Sequence, residues 1–214
     1  MSLIESIHGG YVHQRRVRVL SNQLGKLLPQ NARGLDVGCG DGLIAYLIMQ
    51  KRPDVKIKGI DVIVRSRTYI PVEHFEGQSI PYQDGSFDAV IFADVLHHTD
   101  EPTALLQEAV RVSRKAIVIK DHIEQGLFAR QTLRFMDWVG NARHGVSLPY
   151  NYWARQTWLE VFNALDLEVA AWRKDLPLYP WPLSSIFCRS LHFIVRLDKR
   201  ETITSCLKSS GENL

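Results

Sequence analysis

The fold of this 214-residue chain is decided by the segment Leu35-Asp36-Val37-Gly38-Cys39-Gly40-Asp41-Gly42, which is followed by an apolar run from Leu43 to Met49. A short apolar strand enters a turn with glycine at every second position and leaves into a helix. Glycine lacks a Cβ, so it can adopt the backbone conformations of such a turn and let a ligand lie against the main chain. The same arrangement forms the nucleotide-binding loop of doubly wound α/β proteins.

Two details of this loop argue against a dinucleotide ligand. The G-x-G-x-x-G fingerprint requires a third small residue at position 43, where this chain has Leu43. The third glycine is Gly42 instead, and Asp36 stands two residues before the first glycine. A carboxylate there repels a pyrophosphate and attracts positive charge. The loop therefore predicts a ligand that carries positive charge.

A second acidic residue, Asp61, directly follows the next predicted strand, 55–60. A carboxylate at this place can accept hydrogen bonds from both hydroxyls of a ribose. NAD-binding proteins share this feature, so Asp61 does not separate the two classes of ligand. Capping of a following short helix is an alternative role for Asp61.

Later segments carry the resemblance to a known family. Residues 75–98 read F-E-G-Q-S-I-P-Y-Q-D-G-S-F-D-A-V-I-F-A-D-V-L-H-H, and residues 106–112 read L-Q-E-A-V-R-V. Together with D-x-G-x-G-x-G at 36–42, these motifs resemble class I S-adenosylmethionine-dependent methyltransferases of the small-molecule branch called type 11. The resemblance covers residues 30–122 and beyond that extends to architecture only. It implies transfer of a methyl group from S-adenosyl-L-methionine to an oxygen, carbon or nitrogen of a small organic acceptor.

The resemblance also implies which residues hold the cofactor. The glycine loop and Asp36 correspond to the methionine part, Asp61 to the ribose, and Asp94 to the methionine end. Family members often have an acid where this chain has Gln78, whose amide oxygen would then meet the adenine amino edge. The implied cofactor-binding residues are Asp36, Gly38, Cys39, Gly40, Gly42, Asp61, Val62, Gln78, Ser79 and Asp94.

Candidates on the acceptor side are histidines and tyrosines. His122 follows the fifth predicted strand, where a histidine could take a proton from a hydroxyl or an amine; a satisfied loop histidine is the alternative. His98, in the L-H-H motif, is a second catalytic candidate, and packing is its alternative. Tyr11, Tyr150 and Tyr152 are predicted substrate contacts. The chain has no H-E-x-x-H motif or clustered Cys/His spacing, so we expect no metal site.

Alternating strands and helices predict an α/β fold. The predicted strands are 34–37, 55–60, 72–75, 87–93, 116–120, 167–172 and 191–197, and the predicted helices include 11–28, 124–143 and 153–165. The resemblance implies a doubly wound, seven-stranded, mostly parallel sheet with an antiparallel C-terminal hairpin. We expect one domain over 1–214, with an N-terminal helical region at 1–30, a lid at 124–152 and a flexible tail at 199–214.

Bulk properties limit the partners and the location. The net charge of +3 is small for a nucleic-acid-binding protein, and the basic cluster at 15–18 is interpreted as a solvated helix face. Three cysteines cannot all pair, and neither a signal peptide nor a transmembrane stretch is recognised. We expect a cytoplasmic protein with a small-molecule partner, without DNA or stable membrane insertion; RNA is a minor alternative.

Two other functional classes remain open from the sequence. An NAD-dependent oxidoreductase would use the same general fold, although Leu43 and Asp36 argue against it. A non-catalytic module could retain the cofactor as a structural ligand, because a fold does not fix a function.

Overall fold

The computed structural model describes residues 3–141, 149–188 and 190–200. Its elements are α1 (Leu3–Gly25), β1 (Arg33–Val37), α2 (Leu43–Lys51), β2 (Lys56–Asp61), β3 (Val72–His74), β4 (Phe87–Ala93), a 3-10 turn (Leu96–His98), α3 (Pro102–Val112), β5 (Ser113–His122), α4 (Ala129–Asn141), α5 (Arg155–Ala164), β6 (Leu167–Arg173), α6 (Ser184–Phe187) and β7 (His192–Lys199). None of the helices in these described ranges is long and apolar enough to span a bilayer.

The strands form one seven-stranded sheet in the order β3-β2-β1-β4-β5-β7-β6. The first five strands of this order run parallel, and β7 runs antiparallel to both β5 and β6. This confirms the predicted fold class. The strand order reverses between β1 and β4, and in open α/β sheets ligands bind beyond the carboxyl ends of the strands at such a point.

The central strands are buried on both faces. In β4, Val90 and Phe92 belong to a core cluster with α3 and α5, whereas Ala89 and Ile91 belong to a second cluster with α1 and α2. Alternate residues of a strand point to opposite faces, so a strand covered on both sides reads as a continuous apolar run. This packing fixes the carboxyl ends of β1, β4 and β5 as a common edge.

Several predicted boundaries were wrong. Helix α1 begins at Leu3 and ends at Gly25, whereas the periodicity predicted 11–28. Strand β5 extends to His122 because its antiparallel pairing with β7 continues to the pair His122–His192. Lys199, assigned by sequence to the tail, pairs with Leu167 at the end of β7, and residues 201–214 lie outside the described residues.

Candidate active site

The glycine loop follows β1 at the carboxyl edge. Gly38, Gly40 and Gly42 have φ angles of 68°, 61° and 76°, in the left-handed region that favours glycine. A Cβ on Gly38 would lie 2.7 Å from Val95 Cγ2, and a Cβ on Gly42 would lie 2.3 Å from Ile70 Cγ1. The outer two glycines are therefore required by packing within the protein.

The middle glycine has a different environment. A Cβ on Gly40 would meet only the Arg65 guanidinium, at 3.5 Å from Nη2. Gly40 N–H donates to Asp61 Oδ2 over 2.7 Å, which fixes the loop against the end of β2. Gly40 thus leaves room on the face of the loop where a ligand could approach the main chain.

Asp61 holds two backbone segments. Besides Gly40, the Ile63 N–H donates to Asp61 Oδ1 over 2.9 Å. Each carboxylate oxygen keeps a second lone pair, which is what two ribose hydroxyls require. No helix follows Asp61 directly in the described residues, so the alternative role as a helix cap was wrong.

Asp36 is the strongest electrostatic feature beneath the loop. It is 2% exposed, and its Oδ1 is buried without a hydrogen-bond partner. Burial, with a smaller contribution from the negative charge of Asp61, raises the pKa of Asp36 to about 7. A buried carboxylate oxygen without a donor is costly, and a cationic ligand with N–H groups would satisfy it. This fits the ammonium of S-adenosylmethionine at the place that the resemblance implies.

The segment expected at the adenine is held by a charged pair on α3. Ser79 Oγ and the Ile80 N–H both donate to Glu108 Oε2, over 3.3 and 2.9 Å. Arg111 donates to Glu108 and, over 2.9 Å, to the Ile80 carbonyl oxygen. The E-x-x-R part of the sequence motif therefore positions this loop.

The loop at 77–79 also approaches the residue that follows β2. Gly77 lies against Val62, because a Cβ on Gly77 would be 3.2 Å from Val62 Cγ1. Val62 is 47% exposed, and Gln78 and Ser79 are exposed as well. The structure brings these three predicted adenine contacts to the same side of the molecule, where Val62 offers an exposed apolar surface. Cys39 lies between the first two glycines, and burial raises the pKa of its thiol.

Asp94 directly follows β4 and lies in the left-handed region, with φ 62°. Its Oδ2 accepts a hydrogen bond from Arg16 Nη2 over 2.9 Å, and its Oδ1 contacts Lys120 Nζ. Burial would raise the pKa of Asp94, but the charges of Lys120 and Arg16 outweigh it and hold the pKa well below the usual range. Both oxygens are thus engaged within the protein, so the predicted contact with the methionine end would use other atoms of Asp94.

The sequence analysis did not predict that Arg16 and Lys120 belong to the site. The interpretation of 15–18 as a solvated face was wrong for Arg16, which bonds Asp94 and Tyr179. Its spacing carries a signal, because Arg16 stands four residues before Leu20, a buried residue of α1. Lys120 is fully buried within the apolar run of β5, and a buried lysine requires an acidic partner.

Four histidines form a continuous cluster beside Asp94. Ring centroids are separated by 3.9 Å between His98 and His97, by 4.4 Å between His97 and His122, and by 4.9 Å between His122 and His192. The cluster starts at a partly exposed residue, His98, and continues into the interior. Only its first three members lie in segments that the sequence marked as functional.

His97 is held between two carboxylates. Its Nδ1 lies 2.6 Å from Asp121 Oδ1, and its Nε2 lies 3.4 Å from Asp137 Oδ2 on α4. Burial lowers the pKa of His97, but the charge and hydrogen bond of Asp121, with Asp137, raise it to about 10. His97 is therefore an imidazolium at neutral pH.

The two predicted catalytic histidines differ in access. His98 is partly exposed, and burial together with the charge of His97 lowers its pKa to about 4, so it is neutral at physiological pH. His122 is 3% exposed, and burial, with the charges of Lys120 and His97, lowers its pKa well below the ordinary value. This geometry favours His98 over His122 as the group that meets an acceptor.

The predicted tyrosine contacts also separate. Tyr152 is 7% exposed, and its hydroxyl donates to Asp137 while its ring lies 5.8 Å from that of His97. Tyr152 therefore packs against the buried part of the histidine cluster. Tyr150 is half-buried beside Arg134, and Tyr11 is exposed on α1.

Histidine and aspartate atoms approach closely enough to suggest metal ligands. Among the described residues, the groups Asp94–His97–His122 and His97–His98–Asp137 each have donor atoms within 4.8 Å of one another. The three carboxylates of the cluster, on Asp94, Asp121 and Asp137, face three cationic groups, on Arg16, Lys120 and His97. The charges balance within the chain, and the expected absence of a metal site stays a prediction.

Comparisons with known proteins identify the family and the fold of the chain. A family model described as a methyltransferase domain matches residues 11–177. The chain is 30% identical over 131 residues to 27-O-demethylrifamycin SV methyltransferase of Amycolatopsis mediterranei, covering 51% of this chain and 48% of that protein. It is 39% identical over 99 residues to tRNA (carboxymethyluridine(34)-5-O)-methyltransferase alkbh8 of Xenopus tropicalis, covering 41% of this chain and 15% of that protein.

The chain thus spans about half the length, or less, of these curated relatives. Among solved structures, the YcgJ protein of Bacillus subtilis has a similar fold, with a TM-score of 0.61 and 15% identity over 86% of this chain and 99% of that one. At this identity the likeness shows the fold alone.

Proposed function

We propose that this chain transfers a methyl group from S-adenosylmethionine to a hydroxyl of a small organic acceptor. The chain belongs to the class I S-adenosylmethionine-dependent methyltransferases. Members of this family with this fold use S-adenosylmethionine as methyl donor. The observation that carries the proposal is Asp36, a buried carboxylate with an unpartnered oxygen beneath a glycine loop. A cationic cofactor would satisfy that oxygen, whereas a diphosphate would be repelled.

The cofactor would be held by the residues at the carboxyl edge. Asp36 and the main chain of the loop at Gly40 suit its amino-acid part, Asp61 its ribose, and Val62 with Gln78 its adenine. When bound, the cofactor supplies a methyl group on a sulfonium. The thioether that departs as the methyl group is transferred is a good leaving group, so a covalent enzyme intermediate is unnecessary.

The chain's own groups would then position the acceptor and receive its proton. A neutral imidazole can take the proton of a hydroxyl as the carbon–oxygen bond forms. His98 is the candidate for this role because its ring is partly exposed, whereas that of His122 is buried. His97 would act as a positioning residue, since its ring packs on His98 and is fixed by Asp121.

The acceptor class is supported by two observations. The first relative described above is named for an acceptor that lacks a methyl group on an oxygen. The predicted lid carries α4 next to the histidine cluster, with aromatic side chains on it. These support an organic acceptor with apolar surface, and the tRNA enzyme among the relatives makes RNA the second candidate.

Calorimetry with S-adenosylmethionine, S-adenosylhomocysteine and NADH tests the cofactor. We expect heat with the first two and none with NADH; binding of NADH alone would support an oxidoreductase and refute the proposal. A labelled methyl donor with a panel of hydroxyl compounds, matched amine analogues and tRNA tests the acceptor. Cofactor binding without transfer to any of them would indicate a non-catalytic module.

A pair of variants tests the base. His98→Ala should lower turnover by about 10²–10⁴-fold, as removal of a general base does, and leave cofactor affinity unchanged. His74→Ala removes an exposed histidine on β3 and serves as the matched control. Unchanged turnover in His98→Ala would remove His98 from the mechanism.

A further inference from the structure

The exposed large apolar side chains concentrate around the predicted lid. Trp181 is 84% exposed and Leu127 is 78% exposed, although both are large apolar residues. Monomeric soluble proteins rarely expose contiguous apolar surface of this kind without a function. We call this set the lid patch; its members are Leu127, Phe128, Phe135, Trp138, Val139, Trp181 and Ile186.

Ring contacts join the two segments of the lid patch. Phe135 on α4 stacks on Phe187 of α6, with ring centroids 6.4 Å apart and planes inclined by 13°. Phe135 also lies 6.4 Å from Trp138 on the same helix. The α4 side chains and the segment before β7 therefore belong to one surface.

Helix α4 is apolar on two sides. Leu133 and Asp137 are buried and form its inner side, at the spacing of one helical turn. Phe135, Trp138 and Val139 are exposed and are spaced by three and four residues, so they form a separate outer side of the helix. Apart from the ring contacts of Phe135 described above, this outer side lies away from the core, and a partner outside the chain would bury it.

The charge around the lid patch is positive. Arg130 and Arg134 lie on α4, and Arg15 Nε donates to the carbonyl oxygen of Pro177 over 3.2 Å, beside the second segment. Residues 176–188 carry no charged side chain. Among the described residues of these segments, the acids are the buried Asp137, Glu124, which is 3.9 Å from Arg130, and Asp175, which precedes the uncharged stretch. Tryptophans on an apolar face bordered by arginines are typical of surfaces that rest on anionic lipid headgroups.

We propose that the lid patch docks on an anionic lipid bilayer surface. The same helix that carries Phe135 and Trp138 outward places Asp137 3.4 Å from His97, in the histidine cluster. A hydrophobic acceptor dissolved in the bilayer would thereby reach the methyl-transfer site without crossing water. This delivery step rests on the proposed function, whereas the docking itself does not.

Sedimentation with vesicles tests the docking. The full chain should bind vesicles of equal parts phosphatidylcholine and phosphatidylglycerol at least tenfold more tightly than vesicles of phosphatidylcholine, and high salt should weaken the binding because exposed charges are screened. The double variant Phe135→Ser/Trp138→Ser should lose at least tenfold in affinity. Tyr69→Ser removes an aromatic residue of similar exposure outside the lid patch and should bind as the unaltered chain does.

Charge reversal gives a second, independent variant. Arg130→Glu/Arg134→Glu leaves the apolar side chains in place and should abolish the preference for anionic vesicles. Absence of vesicle binding, or equal loss in Tyr69→Ser, would overturn the proposal. A dimer that disappears in Phe135→Ser/Trp138→Ser would also overturn it, because a second copy would then cover the lid patch. Calorimetry with S-adenosylmethionine on the same samples separates this outcome from failure of the proposed function.

Discussion

Replacing Asp36 by Asn should make the ligand-free protein more stable and the cofactor complex weaker. The carboxyl pKa is about 7 in the folded chain against an ordinary value of 3.8, and burial is the main cause. This difference corresponds to roughly 4 kcal/mol of folding free energy once the carboxylate is fully charged. Asn has nearly the same shape and carries no charge, so the variant escapes that cost.

The sign of the effect with pH follows from the same values. The stabilisation from the protonated carboxyl is complete below pH 3.8 and is lost as the pH rises through about 7. Between pH 5.5 and 8 the unaltered chain should therefore lose roughly 2 kcal/mol relative to Asp36→Asn, while other titrating groups cancel in the comparison. Urea unfolding of both proteins at the two pH values, without cofactor, measures this difference.

Cofactor affinity should move in the opposite direction. In the unaltered chain the affinity for S-adenosylmethionine should rise between pH 5.5 and 8 as Asp36 loses its proton, and in Asp36→Asn it should be at least tenfold lower at pH 8 and flat with pH. A variant that is no more stable at pH 8, or that keeps the same pH dependence of stability as the unaltered chain, would refute the reasoning.

Three further sets of substitutions test other parts of the site. Gly42→Ala should lower the free energy of unfolding by about 3 kcal/mol, because the added Cβ would meet Ile70 and an alanine is strained at this φ. Gly40→Ala should lower it by only about 1 kcal/mol but should weaken cofactor binding. Denaturation measures the stability of both variants, and calorimetry measures their cofactor affinity. Lys120→Met should destabilise the fold by about 3 kcal/mol in thermal unfolding, because the carboxylate of Asp94 loses one of its cationic partners. Adding Asp94→Asn removes that negative charge and should restore part of the lost stability. Arg111→Ala should release the loop near the adenine and cost about 2 kcal/mol, with faster hydrogen exchange confined to residues 76–84; protection equal to that of the unaltered chain would contradict this role.

The parts of the site that the sequence predicted are local in the chain. The glycine loop, Asp36 and the end of β2 at Asp61 follow from residue types at fixed spacing, because one turn and two adjacent strands place them. The seven strands and the antiparallel C-terminal hairpin followed from the resemblance, whereas the order of the strands came from the structure. Gly42 illustrates the limit of such reasoning, since its contact with Ile70, far along the chain, requires a glycine there independently of any ligand.

The parts that the sequence did not predict depend on distant segments. Arg16 and Lys120 meet at Asp94, which is 78 residues from Arg16 and 26 from Lys120. The spacing of residues within one helix or strand cannot predict a contact between side chains of distant elements. His192 joined the histidine cluster for the same reason, through the pairing of β7 with β5. The burial of His122 also follows from that pairing, which extended β5 beyond its predicted end.

The bond from Arg16 to Asp94 ties the amino-terminal helix to the carboxyl edge of the sheet, where the candidate site lies. Shortening α1 past this arginine would leave an aspartate in left-handed backbone with Lys120 as its remaining described cationic partner. Affinity tags and fusion partners for this protein are therefore better attached elsewhere, or separated from α1 by a spacer, when activity is to be preserved.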